Sequence, residues 1–588
     1  MYANNFLFDQ DRCRQEVAEM IIMHEYQLHM VEHPAFISFV QNLQPRFNMV
    51  NFNTVQGDCV AIYLREKQSL VKLLAGIPGR INLTLDLWGS NQALGYVFLT
   101  GHFIDSDWKL NRRILNVVMV PSPYSGDALS HAVGVCLGDW GLENKLFTLT
   151  LDRSTTNDTE PGSLRGYLSV RNKDCVNGQL LIERCYAYVL SSLAQDVLAS
   201  MAEIVNKIRE SVKYVKTSPA QEEKFIDLKQ QLQVPSTKHL CYDDQTQWNT
   251  TYLMLVAAVE LKEVFSCLDT ADPDYKLAPS MDEWKQAETL CSYLKLLHDA
   301  AKVLLTTTQA PTANLYFHEV WKLQVELTHA AMSEDAFVSN LTKPLKEKFD
   351  DYWNDCKLVL AMAVVMDPRF KMKLVEFSFA KIYGEEEAGT YVKIVDDSIH
   401  ELFSEYTVQP LLITSAGYAE LENGGTTANS NNGEAVNEIN TDEMEIVKIE
   451  QQESPPPKGA SLLSGGGDRL LDFDVFISEM SGSQPSKSEL DQYLEESLLP
   501  RTVEFDILGW WKLNNLKFPT LSKMARDILS ISASTVGTES VFSTITNKLD
   551  SYRSSLRPET VESLICAKDW LQYTAAKDPV VAPVKMEF

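Results

Sequence analysis

Apolar positions recur every three to four residues over residues 8–75. Val17, Met20 and Ile21, then Phe36, Phe39 and Val40, mark the buried faces of predicted helices. At residue 81 the period drops to two: Ile81, Leu83, Leu85 and Leu87 alternate with Asn82, Thr84 and Asp86, which predicts a strand. ALGYVFLTGHFI and WKLNRRILNVVMV predict two more strands around a turn at Asp105–Asp107. Residues 125–140 predict a helix, and KLFTLTLD a fourth strand. This order implies a mixed sheet with helices packed against it. Helical spacing returns over residues 180–233 and is broken by Pro235, after which KHLCYDD at 238–244 reads as a short fifth strand. From Trp248 to about Val408 the pattern is nearly all helical, with breaks near Asp272–Pro273, Pro311 and Pro368.

Residues 415–468 change character, from GGTTANSNNGEAVNEIN to QQESPPPKGASLLSGGG. So little apolar surface cannot offset the entropy of ordering, and a disordered acidic linker is expected. Nine acidic residues and one lysine lie between Glu420 and Glu453, part of a formal net charge of −27 over 588 residues. That charge opposes nonspecific attraction to phosphate, so any DNA contact has to come from local basic patches. Candidates are Lys207, Arg209, Lys213 and Lys216 on one helix, Lys109, Arg112 and Arg113 near a turn, and Lys343, Lys346 and Lys348. Runs of this kind are also what a solvated face looks like. The ten cysteines form no Cys-x-x-Cys pair, which argues against a zinc site and a disulfide framework. His24, His29 and His33 have no cysteine pair beside them. No run of about 18 apolar residues predicts a membrane span, and the N-terminus lacks the pattern of a secretory signal.

The tetrapeptide LTLD occurs twice, ending in Asp86 and Asp152, each time at the end of an alternating run. An Asp after a strand commonly just starts a turn. If the two strands are neighbours, however, the carboxylates converge, and repulsion between them calls for a proton or a cation. Mg²⁺ is the hard ion suited to such oxygens, and two metals can activate water against a phosphodiester.

The stretch from Leu490 to Leu571 orders aromatic pairs (Trp510, Trp511), a Phe-Pro step at Phe518, small residues, Glu539 in TESVFS and a final amphipathic helix carrying Leu564 and Trp570. It resembles the C-terminal dimerisation region of hAT-superfamily transposases, especially the domesticated plant branch called the DAYSLEEPER and RICESLEEPER family. The resemblance implies an α/β plus all-α fold: an RNase H-like mixed sheet interrupted by a large helical insertion, with a C-terminal helical dimerisation segment. It implies an acidic triad of Asp86, Asp152 and Glu539, with Mg²⁺ as the ion it would take, and a base-stacking role for Trp248. By itself, Glu539 would be no more than an acid in a helix's first turn, and Trp248 a packed helix-start residue. Trp510, Trp511, Phe518, Phe542, Leu564 and Trp570 become the expected dimer anchors, although the final apolar stripe could equally pack on the sheet.

Departures from the family pattern matter too. Tyr188 stands where relatives carry His, Gln247 where they carry Arg, and Arg153 where they carry Asn. These changes remove groups that would orient DNA and the leaving group. No BED zinc finger precedes Phe8. The expected organisation is an N-terminal helical region (1–78), the first part of the RNase H-like core (79–247), a helical insertion (248–410), an acidic linker (411–484), a dimerisation region completing the core (485–573) and a tail (574–588). The expected function is a dimeric, DNA-associated nuclear regulator of transcription and development without transposition activity. The alternatives are an active two-metal transposase and a dimerising scaffold with no DNA affinity of its own.

Overall fold

The computed structural model describes residues 8–90, 94–121, 125–152, 164, 182–306, 312–408, 487–501, 505–536, 540–543 and 547–575. By contacts the chain divides into one unit of Met1–Val408 with Glu489–Phe588 and a second of Gln409–Ser488. The C-terminal hundred residues thus fold with the N-terminal four hundred. Residues 411–484, expected to be a disordered linker, lie outside the described residues.

Three helices, α1 (Gln10–His24), α2 (Pro34–Leu43) and α3 (Phe52–Ala75), open the chain. Asp9 and Asn51 accept from free amides at the starts of α1 and α3, as N-caps do. Strands β1 (Ile81–Gly89), β2 (Leu94–Ile104) and β3 (Leu110–Pro121) follow, then α4 (Gly126–Trp140) and β4 (Leu146–Leu151). The Ser125 hydroxyl caps α4, and Gly141, in the left-handed region at φ 63°, ends it. The sheet order is β3-β2-β1-β4-β5, with β1–β2 and β2–β3 antiparallel, and β1–β4 and β4–β5 parallel. The expected RNase H-like mixed sheet is present.

One strand is not where the pattern put it. β5 is Ile182–Arg184, pairing with Leu149–Leu151, whereas residues 238–244 run as irregular chain beside helices. Of the apolar residues in KHLCYDD only Leu240 is buried, and the Tyr242 hydroxyl reaches the Lys216 carbonyl. A sheet interior needs more apolar surface than that segment carries.

The helical part comprises α5 (Tyr186–Ser200), α6 (Ala202–Lys216), α7 (Pro219–Gln231), α8 (Trp248–Glu260), α9 (Lys262–Ala271), α10 (Met281–Thr306), α11 (Ala313–Ala331), α12 (Ala336–Val365) and α13 (Lys371–Val408). Gly384, at φ 77°, breaks α13 into two helices. Helices α14 (Glu489–Glu495), α15 (Ile507–Asn514), α16 (Leu521–Ile528) and α17 (Pro558–Ala575) complete the unit. No single helix among the described residues is long and apolar enough to cross a membrane.

Two apolar cores flank the sheet. Leu83, Leu85, Leu87 and Leu149 pack with α1, α3, α4 and α17. The other core joins the helical part to residues 490–542. The sheet's polar face is also buried, because the C-terminal segment roofs it. Asn82 donates to the Asp527 carbonyl and the Ser530 hydroxyl, Thr148 donates to Asn82, and Thr150 donates to the Ser532 carbonyl. Asn82, Thr148 and Thr150 thus each have a partner, as burial of a polar group requires.

Four of the C-terminal aromatics expected as dimer anchors, Trp511, Phe518, Phe542 and Trp570, are buried within the protomer. The Trp511 indole donates to the Met366 carbonyl at 2.9 Å, and its ring lies 5.2 Å from Tyr493. Trp570 serves a local need. The β2–β3 register shifts between Leu99 and Thr100, as at a bulge. The Ile114 amide there donates to Asp569, and the Ile114 carbonyl accepts from the Trp570 indole at 2.7 Å. Trp510 and Leu564 are half-buried against the same cores.

Candidate nuclease-type site

Residues Leu85 and Leu151 are register partners in the parallel β1–β4 pair, so Asp86 and Asp152 emerge side by side. The Asp152 amide donates to the Leu85 carbonyl at 3.0 Å. Both aspartates are buried. Asp86 Oδ2 accepts from the Trp88 indole at 2.7 Å, and its Oδ1 is a buried oxygen without a hydrogen-bond partner. Burial, followed by the charge of Asp152, pushes the Asp86 carboxyl well above the usual carboxylate range, against the opposing pull of Trp88 and Asn547.

The third side of the site comes from the far end of the chain. The Gly89 amide donates to the Asn547 carbonyl at 2.8 Å, and the Leu549 amide to the Gly89 carbonyl at 3.0 Å, which extends the sheet beyond β1. Ser540 donates to the Asn547 side chain at 3.2 Å. Asp152, Ala187, Tyr188, Ser191, Ser192, Gln195, Val536, Ser540, Ser543 and Asn547 line a cleft of about 130 Å³. Glu539 lies outside the described residues, but Val536 and Ser540 on either side of it line the same cleft as Asp152. Arg153 also lies outside them. Among the described residues no three His, Cys, Asp or Glu side chains gather around one point. The carboxylate pair nevertheless suits a hard divalent cation, since a bound ion would engage the orphaned Asp86 oxygen and relieve the repulsion.

Trp248 lies behind this cleft and is not among its lining residues. Its indole is fully buried, donates to Ser191 at 3.1 Å, and meets Phe542 edge-to-face at 5.2 Å. In this conformation it is a wall behind Ser191, and stacking on a base would require the ring to leave its packing. The basic run of α6 is internally compensated. Lys207 pairs with Glu283 at 2.7 Å, Lys213 with Glu210 at 2.8 Å, and the buried Arg209 grips Asp243 through two nitrogens. The Arg209 guanidinium, expected on a phosphate backbone, here ties α6 to the chain before α8. Arg112 likewise sits 3.6 Å from Asp569, and Lys346 and Lys348 pair with Asp350 and Asp196.

Pattern reading missed Trp88 and Asn547. The first was open to detection, since a residue two beyond Asp86 shares its strand face. Nothing local marks Asn547, whose position depends on pairing across more than four hundred residues.

Comparison with known proteins matches four family models: the ZBED1 RNase-like domain (residues 84–180), the ZBED1 RNase-like helical domain (183–293), the hAT-like transposase RNase-H fold (314–406) and the hAT family C-terminal dimerisation region (489–571). The chain is 52% identical to the zinc finger BED domain-containing protein RICESLEEPER 2 of Oryza sativa subsp. japonica, over 97% of this chain and 76% of that protein. It belongs to the RICESLEEPER and DAYSLEEPER family. Identity to DAYSLEEPER of Arabidopsis thaliana is also 52%, over 98% of this chain and 76% of that protein. A putative AC transposase of Zea mays is 33% identical over 94% of this chain and 64% of its own length. The RICESLEEPER and DAYSLEEPER family is therefore transposase-derived, and the Asp86–Asp152 pair sits on the sheet that this ancestry implies.

Proposed function

We propose that this protein is a domesticated hAT transposase derivative acting as a dimeric, DNA-associated nuclear regulator of transcription and development, with a vestigial cleavage site. The observation carrying this reading is the lining of the cleft beside Asp152. Among the described residues it offers Tyr188, serines, Gln195 and Asn547, but no Lys, Arg or His. Phosphodiester cleavage needs groups that neutralise the charge on the phosphate and protonate or stabilise the leaving oxygen. Here Tyr188 occupies the cleft wall where the family resemblance calls for His, and the Gln247 backbone bridges to Ser543 where it calls for Arg. Asp86 and Asp152 would hold a Mg²⁺ ion, and a bound ion would supply Lewis-acid activation of water. The chain's own residues position the pair: Trp88 orients Asp86, and the β1–β4 register fixes the spacing.

The second reading, an active transposase, is favoured by the intact carboxylate pair. A strand-cleavage assay with Mg²⁺ or Mn²⁺ on terminal-repeat DNA separates the two. No cleavage above that of an Asp86→Ala variant is expected, and metal-dependent cutting abolished by that substitution would overturn the regulator reading. DNA association is tested by salt-dependent retention on duplex DNA, localisation by imaging a tagged full-length chain, and dimerisation by solution mass.

A further inference from the structure

Away from the cleft beside Asp152, the helical part holds a second concavity. Helices α10 and α11 bound a groove of about 310 Å³ with apolar walls, Leu296 and Ala300 on one side and Leu323 and Val325 on the other. The apolar surface continues beyond it. Trp321, also on the lining, meets Phe377 of α13 edge-to-face at 5.9 Å, and Phe377 is 53% exposed. Two groups on this lining have unmet needs. The Trp321 indole N–H is buried without an acceptor, whereas buried indoles ordinarily find one. Glu326 has no ion pair among the described residues. The other two lining carboxylates are already matched, Glu319 at 3.6 Å from Lys322 and Asp299 at 2.6 Å from Lys295, in partly exposed pairs of the kind that hold only weakly.

We propose that this groove receives a basic, apolar segment of a partner protein. One or two aliphatic or aromatic side chains of that segment fill the space between α10 and α11, and a neighbouring Lys or Arg pairs with Glu326. The Trp321 ring is only half-buried, so a small turn brings its N–H to a backbone carbonyl of the bound segment. Charge selects the sign of the partner. The lining carries Asp299, Glu319 and Glu326 against Lys322 alone, on a chain with a formal net charge of −27. Such a surface draws basic segments in and turns acidic ones away. A compact small molecule fits less well. The groove lies open and runs onto Phe377, so it would enclose too little of such a ligand, whereas a peptide can span both. The proposal is independent of the dimer and DNA readings above.

The test is fluorescence anisotropy with the full chain and a labelled peptide of about 14 residues, carrying two leucines one helical turn apart among lysines and arginines. A second peptide keeps the leucines and replaces each base by Glu. The wild type is expected to bind the basic peptide and to bind the acidic one at least about tenfold more weakly. Glu326→Lys and Val325→Ser should each weaken the basic peptide at least about fivefold, and Trp321→Phe, which removes only the N–H donor from an apolar ring, should also weaken it. Glu326 is exposed, so Glu326→Lys should keep the wild-type melting temperature. Asp11→Lys with Glu16→Lys changes more charge on α1, which packs in the other core, and should leave binding unaltered. Absence of binding by the wild type up to about 200 µM would overturn the proposal. So would wild-type affinity in both Glu326→Lys and Val325→Ser, or an equal loss in the α1 variant, which would reduce the effect to diffuse attraction. A fall in the solution mass of the chain on Glu326→Lys would assign the groove to a second copy instead and overturn it too.

Discussion

Asp86 is the residue whose surroundings are least comfortable. One carboxylate oxygen is held by Trp88 and the other is buried without a hydrogen bond beside a second aspartate. Removing the charge while keeping the shape should therefore help the fold, because buried ionic groups stabilise only when fully compensated. Asp86→Asn is expected to raise stability by on the order of 1 kcal/mol in EDTA. Mg²⁺ should raise the melting temperature of the wild type and not that of the variant. Calorimetry with and without metal checks both, and a destabilised Asp86→Asn would show that the pair is already satisfied. Gly79 shows the opposite situation, a tight fit already in place: a Cβ there would lie 2.3 Å from Asp527 Oδ1, the atom that accepts the Arg80 amide. That carboxylate also accepts from Tyr406, so one buried side chain fixes the start of β1 to the end of α13.

Elements were legible in the sequence wherever their pattern was local. Strands β1 to β4, the turn at Asp105–Asp107 and helix α4 follow from alternation and capping within a dozen residues. What escaped was set by distant partners. β5 is only three residues long and is a strand because β4 lies beside it. Trp511, Phe518 and Trp570 read as interface anchors because large aromatics do gather at interfaces. Trp511 and Trp570 are held inside the protomer by carbonyls at Met366 and Ile114, which no nearby residue announces. The convergence of Asp86 and Asp152 was readable from the repeated LTLD, while the cleft facing them was not. Contacts between elements also titrate. His400 on α13 meets Asp491 on α14 at 3.1 Å and sits against the Asp396 carbonyl. Burial lowers its pKa, but those acceptors outweigh burial and the net shift is upward. The contact should thus contribute fully below the ordinary histidine range, near 6.5, and fade as pH rises through the raised value. His400 is partly exposed, so the contribution is at most about 1 kcal/mol. Wild type should exceed His400→Gln in melting temperature by more at pH 5.5 than at pH 8, and a gap that widens with pH would contradict the assignment.

At the scale of the whole molecule, the two stretches flanking residues 409–488 form one folding unit. Cutting a protease site engineered within 409–488 should leave two polypeptides that co-migrate on a sizing column under native conditions. They should separate only in denaturant, in one cooperative transition. Separation in native buffer would mean that the roof over the sheet is weaker than its hydrogen bonds and two shared cores imply.

The pairing of Gly89 with Asn547 also bears on synthesis. A ribosome that has just released β5 must add roughly 360 more residues before the partner segment emerges, which at about 5–20 residues per second takes tens of seconds. For that interval the nascent sheet presents a bare polar flank and a half-filled hydrophobic layer. A transcript truncated upstream of Asn547 would yield a chain that never leaves this state, a ready client for chaperones and proteases.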